Sequence, residues 1–130
     1  MKNPKDYIPT HKHDTEKIDE LAKIGYPFYK PILYELFEWI QDYNWPVAQK
    51  ITPILRAAGK DIIPVVKKIL KTDDDIWKYW ILQQVLYKMP ISIVEILKPE
   101  LTKISENPTA KEKHEEVDIE AKDILEKLNN

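Results

Sequence analysis

One stretch constrains the fold more than any other: residues 73–86, which begin with three aspartates and continue with apolar residues on almost every side. Aspartate is favoured at a helix start, because its carboxylate accepts hydrogen bonds from free backbone N–H groups and lies at the positive end of the helix dipole. Beyond the aspartates, only Lys78, Gln83 and Gln84 are clearly polar. A helix that is apolar on most sides is normally covered on several of them. The stretch therefore predicts the central helix of an all-helical domain.

Composition narrows the class of protein. The chain has 130 residues, 43% of them hydrophobic, which is enough for one domain with a sizeable core. No apolar run approaches the roughly 18 to 20 residues that span a bilayer, and no apolar segment follows the first residues as in a signal peptide. The chain has no cysteine, which excludes disulfides and thiolate chemistry. We expect a cytoplasmic protein without a membrane segment.

The charge pattern weighs against nucleic acid as the main partner. The formal net charge is −2, lysines and acids are intermixed along the chain, and Arg56 is the only arginine. Nucleic-acid-binding proteins normally concentrate positive charge on one face. With only two glycines, the chain also has no glycine-rich loop of the kind that binds phosphate.

Helical periodicity runs through most of the chain, and no segment alternates as a β-strand does. Residues 1–13 lack periodicity and are expected to form an extended lead-in to one domain over residues 14–130. Helices are predicted at residues 15–24, 31–40, 45–58, 61–70, 74–89, 92–106 and 109–128. Gly25 is expected to end the first helix, and Thr109 with Glu112 forms a capping box at the start of the last. Bends are expected at Pro53 and Pro99.

The helices recur in pairs. Pro31 and Pro64 are 33 residues apart and each opens a shorter helix, while Trp45 and Trp77 are 32 apart and each lies near the start of a more apolar one. A period of this length built from antiparallel helix pairs is typical of HEAT-like solenoids, whose pairs stack because none can bury its apolar face alone. We therefore predict an all-α fold, a short HEAT-like stack of about seven helices, with an irregular helical bundle as the alternative.

Three segments carry a resemblance to a known family. They are Asn-Trp-Pro-Val-Ala at residues 44–48, Asp-Asp-Ile-Trp-Lys-Tyr-Trp at residues 74–80, and Asn-Pro-Thr at residues 107–109, followed by Glu112. From about Asp14 onward the chain resembles a family of small bacterial proteins of unknown function with a HEAT-like helical fold. The resemblance implies a fold rather than a chemistry. Similar small proteins are found near toxin and immunity genes, which by analogy implies an immunity or adaptor role.

Catalytic and metal-binding patterns are weak. Asp42 and residues 73–75 could supply carboxylates to a cation, but consecutive residues do not converge on one point, so we expect helix capping instead. His11, His13 and His114 have neither cysteine partners nor the spacing of a zinc motif, and we expect them to be solvated. The chain has no motif for a serine or cysteine nucleophile. We predict that it is not an enzyme and binds no cofactor.

The best functional candidates are aromatic residues. Tryptophan and tyrosine anchor protein interfaces because they bury a large area at low entropic cost. The competing interpretation places them in the core, and for Trp45 and Trp77 we favour the core. The first hypothesis is a non-enzymatic adaptor that holds an unidentified protein partner in a concave helical groove. The candidate partner-binding residues are Asp42, Trp45, Asp74, Lys78, Tyr79, Trp80 and Gln83.

The second hypothesis is a nucleic-acid-directed protein. By resemblance to HEAT-like DNA glycosylases, clustered aromatic rings could stack on a flipped base. This function requires a positive channel across Lys50, Arg56, Lys60, Lys67 and Lys68. The shortage of arginine makes it the alternative rather than the first choice.

Overall fold

The computed structural model describes residues 2–129, and every regular element in that part of the chain is helical. The α-helices are α1 (Thr15–Ile24), α2 (Leu33–Glu38), α3 (Pro46–Ala57), α4 (Ile63–Leu70), α5 (Asp75–Gln84), α6 (Ile91–Val94), α7 (Lys98–Glu106), α8 (Ala110–His114) and α9 (Val117–Leu128). Short 3-10 helices lie at Pro4–Tyr7, Lys30–Ile32, Gly59–Ile62, Leu86–Lys88 and Glu95–Leu97. The predicted all-α class is confirmed. Among these helices, none has both the length and the apolar composition needed to cross a membrane.

The backbone divides into two compact units, the first ending at Ile62 and the second beginning at Ile63. In the first unit, α3 packs against both α1 and α2. In the second unit, α9 packs against α5, α6, α7 and α8. The single domain over residues 14–130 stays a prediction, and its last residue, Asn130, lies outside the described residues, as does Met1 of the lead-in.

The lead-in contains a short helix. Within the segment expected to be extended, Pro4–Tyr7 forms a 3-10 helix, which Asn3 and Asp6 close with a reciprocal capping box. Tyr7 is buried, and its ring meets that of Phe28 edge-on with 5.7 Å between ring centres. This aromatic contact with a distant part of the chain, which local periodicity cannot reveal, accounts for the ordered turn.

Predicted caps end or begin several helices. Gly25 follows α1 with a φ of +87°, a conformation that side-chain-bearing residues rarely adopt, and its N–H bonds the Leu21 carbonyl oxygen at 2.8 Å. Trp45 precedes α3, whose first residue is Pro46 as predicted, and α3 continues through Pro53. Helix starts that carry a proline or a capping side chain are therefore the ones that the sequence predicts best.

Two predicted helices are divided in the structure. A 3-10 helix at Glu95–Leu97 interrupts the segment predicted as one helix over 92–106, because the ring of Pro99 conflicts with the carbonyl group four residues earlier. The predicted last helix is interrupted at Glu116, whose backbone is left-handed with a φ of +61°. That turn separates α8 from α9.

The predicted helix over 74–89 also ends early, at Gln84. The chain tightens into the 3-10 helix Leu86–Lys88, and Met89 is extended because it precedes Pro90. In the second unit it is α9, rather than α5, that packs against most of its neighbours. The apolar residues of α9 recur at intervals of four and three and are buried: Val117, Ala121 and Ile124.

Candidate functional site

The exposed side of α5 carries three of the predicted partner-binding residues. At 3.6 residues per turn, one side of the helix collects Ile76, Tyr79, Trp80 and Gln83, which we call the outer face of α5. Ile76 is 51% exposed, and the other three are half-buried. The opposite side faces the core with Trp77, Lys78, Ile81 and Leu82. The structure thus brings Tyr79, Trp80 and Gln83 together on one surface.

Direct contacts hold the side chains of the outer face. Gln83 Nε2 donates a hydrogen bond of 2.9 Å to the Tyr79 hydroxyl oxygen, and Gln84 Nε2 donates one of 3.0 Å to Gln83 Oε1. The rings of Tyr79 and Trp80 meet edge to face with their centres 5.1 Å apart. These contacts limit the side-chain motion of Tyr79, Trp80 and Gln83.

Carboxylates from α9 lie beside this surface. Glu116, Glu120 and Asp123, which we call the acidic side of α9, follow one another at intervals of four and three residues, and α9 packs against α5. The Glu120 carboxylate lies close enough to Tyr79 and Gln83 for both side chains to affect its pKa. Within residues 2–129, none of the three carboxylates forms an ion pair. The acidic side of α9 is therefore not neutralised by this part of the chain.

The pKa values of Glu120 and Tyr79 are shifted where α5 and α9 pack together. Burial raises the pKa of Glu120 above its usual value, and the charges of Asp123 and Glu116 raise it further, while hydrogen bonds from Gln83 and Tyr79 partly offset the rise. Burial also raises the pKa of the Tyr79 hydroxyl, and the Glu120 charge adds to that effect. Both shifts come mainly from burial, and neighbouring negative charge adds to each.

Lys78 occupies a different place from its neighbours in sequence. Its side chain is buried on the core side of α5, with Nζ 3.0 Å from Asp75 Oδ1 and 3.3 Å from Glu112 Oε2. The contact with Glu112 is a hydrogen bond, whereas the contact with Asp75 is an ion pair without hydrogen-bond alignment. Lys78 therefore does not share the outer face with Tyr79, Trp80 and Gln83.

Glu112 connects this buried lysine to the start of α8. Its Oε1 accepts a hydrogen bond of 2.9 Å from the Thr109 N–H, and its own N–H donates one of 3.0 Å to Thr109 Oγ1. The predicted capping box is confirmed. The same carboxylate also binds Lys78 through Oε2, which sequence reasoning missed because the two residues are 34 positions apart and neither segment carries a local signal for the pairing.

A cavity of about 630 Å³ opens beside this buried group in the second unit. Its charged lining residues are Lys67, Lys71, Asp73, Asp75, Lys78, Glu100, Lys103, Lys111 and Glu112. These five lysines and four acids nearly balance, so the lining favours neither anions nor cations as a class. The lining comes from α4, α5, α7 and α8, which is why a search along the sequence did not find the cavity.

The remaining predicted residues have local roles. Asp74 Oδ1 accepts a hydrogen bond of 3.1 Å from the Trp77 N–H and caps α5, in keeping with the capping interpretation of the aspartates. In the first unit, Asp42 Oδ1 accepts a bond of 2.9 Å from the Asn44 N–H, and half-buried Trp45 tilts against Trp39 at 5.7 Å between ring centres. In the described part of the chain, no group of three or more histidine, cysteine, aspartate or glutamate side chains could hold a metal ion.

The two tryptophans behind the predicted repeat are not locally equivalent. Trp45 precedes the first residue of α3, whereas Trp77 is the third residue of α5. Trp77 is 4% exposed, as expected for the core, and Trp45 is half-buried. Both lie near a helix start as the sequence indicates, but they bury different amounts of side chain.

The fold and the outer face of α5 define an all-helical protein with an ordered aromatic and acidic surface. The chain belongs to a family described as a domain of unknown function (DUF5071), which matches residues 7–125. The match extends from the buried Tyr7 into α9 and includes every residue of the outer face of α5. No curated protein matches the chain.

Proposed function

We propose that this protein is a non-enzymatic binding module and that a partner protein docks on the outer face of α5. The observation that carries the proposal is the edge-to-face pair formed by half-buried Tyr79 and Trp80 on the same face as Ile76, which is 51% exposed. Aromatic residues of this kind dominate protein interfaces, where they bury much area and lose little side-chain entropy.

The contacts of Tyr79 add to this argument. Gln83 Nε2 donates a hydrogen bond to its hydroxyl oxygen and its ring meets that of Trp80, so the ring is already oriented. Ordering an interfacial side chain on binding costs about 0.5–1.5 kcal/mol, and a pre-oriented ring avoids part of that cost.

The finer description of the fold is part of the same proposal. We propose that the helices form a short HEAT-like stack and that the protein acts in the cytoplasm of bacteria as an adaptor of the immunity type. The support is a pattern that occurs twice in the chain. Pro31 and Pro64 each lie near the start of one helix, and Trp45 and Trp77 each lie near the start of the next.

Site-specific photo-crosslinking in the cells that naturally produce the chain tests the docking surface. A photoreactive amino acid replaces Ile76 on the outer face of α5 or, as a matched control, Ile24, which is 49% exposed on α1 in the first unit. We expect one protein to be crosslinked from position 76 and not from position 24. Adding Trp80→Ala should reduce that crosslink, while adding Ile24→Ala should not. Equal crosslinking from both positions, or none from position 76, would contradict the proposal.

No observation specifically favours the nucleic-acid alternative. Two of the five cations that it needs are engaged within their own units, Lys50 with Asp19 at 3.0 Å and Lys67 with Glu100 at 3.9 Å. A gel-shift experiment at low salt, where phosphate affinity is greatest, is expected to show no binding of DNA or RNA. Tight, salt-dependent binding of DNA or RNA at low salt would make nucleic-acid binding the favoured function in place of protein binding.

A further inference from the structure

We infer that the partner segment on the outer face of α5 is basic, with a lysine or arginine side chain held between the rings of Tyr79 and Trp80 and the acidic side of α9. This inference rests on the proposed function and specifies the chemistry of the partner. It depends on two features of the same surface, one aromatic and one electrostatic.

The aromatic feature is the edge-to-face pair formed by Tyr79 and Trp80. A cation above the face of an indole or phenol ring is attracted by the ring quadrupole, and tryptophan gives the strongest attraction. Tyr79 and Trp80 are half-buried, so part of each side chain lies at the surface. Arginine suits such a surface because its planar group stacks on a ring while its N–H groups bond to carboxylates.

The electrostatic feature is the set of carboxylates without a cation. Glu116, Glu120 and Asp123 form no ion pair within the described residues. Each carboxylate disfavours the charge of its neighbours: burial is the main cause of the raised pKa of Glu120, and the charges of Asp123 and Glu116 add to it. A cation from a partner would relieve this repulsion, whereas an acidic segment or a nucleic acid would add to it.

Two lysines of the second unit, Lys127 and Lys88, are engaged elsewhere. Lys127, on the same helix, places Nζ 4.1 Å from the centre of the Tyr87 ring and donates a hydrogen bond to the Tyr87 carbonyl oxygen. Lys88 Nζ donates a hydrogen bond of 3.1 Å to Gln84 Oε1. Neither of these two lysines forms an ion pair with the acidic side of α9.

Calorimetric titration of the full chain with an octa-arginine peptide at low salt tests the inference. We expect binding that weakens as salt is added, and no binding of an octa-glutamate peptide. Trp80→Ala removes a ring and should weaken octa-arginine binding by about two- to fivefold. Glu120→Gln removes a charge but keeps the size and shape of the side chain, and should weaken binding to a similar extent.

The matched control is Glu106→Gln, which removes one charge from an exposed position on α7. It should change binding by less than about twofold. Circular dichroism on every variant confirms that the fold is retained. Equal weakening by Glu106→Gln and Glu120→Gln, or no octa-arginine binding, would overturn the inference. A protein crosslinked from position 76 would in that case still support the proposed function, so the two failures are distinguishable.

Discussion

Neighbouring residues of α5 have opposite roles. Trp77 is 4% exposed and packs in the core, whereas Ile76 is 51% exposed on the outer face of α5. One step along a helix rotates the side chain by about 100°, which is sufficient to separate the core from the candidate binding surface. A substitution at either position therefore tests which role its side chain has.

Trp77→Ala is expected to lower the free energy of unfolding by about 3–5 kcal/mol, because it removes a large buried ring and leaves a cavity. Ile76→Ala is the matched control and should change it by less than about 0.5 kcal/mol. Urea unfolding followed by circular dichroism measures both. If Trp77→Ala leaves the free energy of unfolding nearly unchanged, the assignment of Trp77 to the core is wrong.

Tyr29 provides a prediction about pH. Its hydroxyl group donates a hydrogen bond of 2.6 Å to the Ile54 carbonyl oxygen, and burial raises the pKa of Tyr29 from 10.0 to about 12. Because the folded state holds the phenol neutral, this stability is present below pH 10 and is lost as pH rises from 10 to 12, where the unfolded chain ionises first. Burial also raises the pKa of Tyr26, with a further contribution from its hydrogen bond to Asp61.

Urea unfolding at a series of pH values measures this effect. We expect the unfolding free energy to fall between pH 10 and pH 12 and to fall less steeply in Tyr29→Phe. The remaining slope in that variant should come from Tyr26 and Tyr79, whose pKa values are also raised. A wild-type profile that is flat across this range would contradict the assignment.

At the scale of elements, Lys78 joins α5 to the start of α8 through Glu112. Lys78→Met is expected to lower the free energy of unfolding by about 3–5 kcal/mol, since it leaves the buried carboxylates of Asp75 and Glu112 facing each other without a cation. Thr109→Ala, which removes one hydrogen bond of the capping box, should cost only about 1 kcal/mol. Chemical unfolding at neutral pH compares the two variants. A Lys78→Met variant as stable as Thr109→Ala would show that the buried lysine does not hold these helices together.

Helix starts were more predictable than helix ends. The positions of Pro46, Asp74 and Thr109 follow from local chemistry, since each restricts or satisfies the backbone of the first turn. The division between α8 and α9 was not predictable, because Glu116 has no side-chain preference for its left-handed backbone. Its conformation depends on how α9 packs rather than on the local sequence.

At the scale of the whole molecule, part of the candidate site followed from the sequence. Helical spacing alone predicts that Lys78 and Trp80 lie on different sides of α5 and that Tyr79 and Gln83 lie on the same side. The acidic side of α9 could not be assigned to the same surface, because Glu120 and Tyr79 meet only through tertiary packing. The cavity near Lys78 was missed for the same reason, since four helices supply its lining.

The central claim is that the outer face of α5 and the acidic side of α9 form the binding surface. Nuclear magnetic resonance of the isotopically labelled chain during titration with octa-arginine tests it most directly. The account predicts that amide signals from residues 76–83 and 116–123 shift together and saturate at the same peptide concentration. Shifts confined to residues 103–112 around the cavity, or to α3 in the first unit, would contradict it.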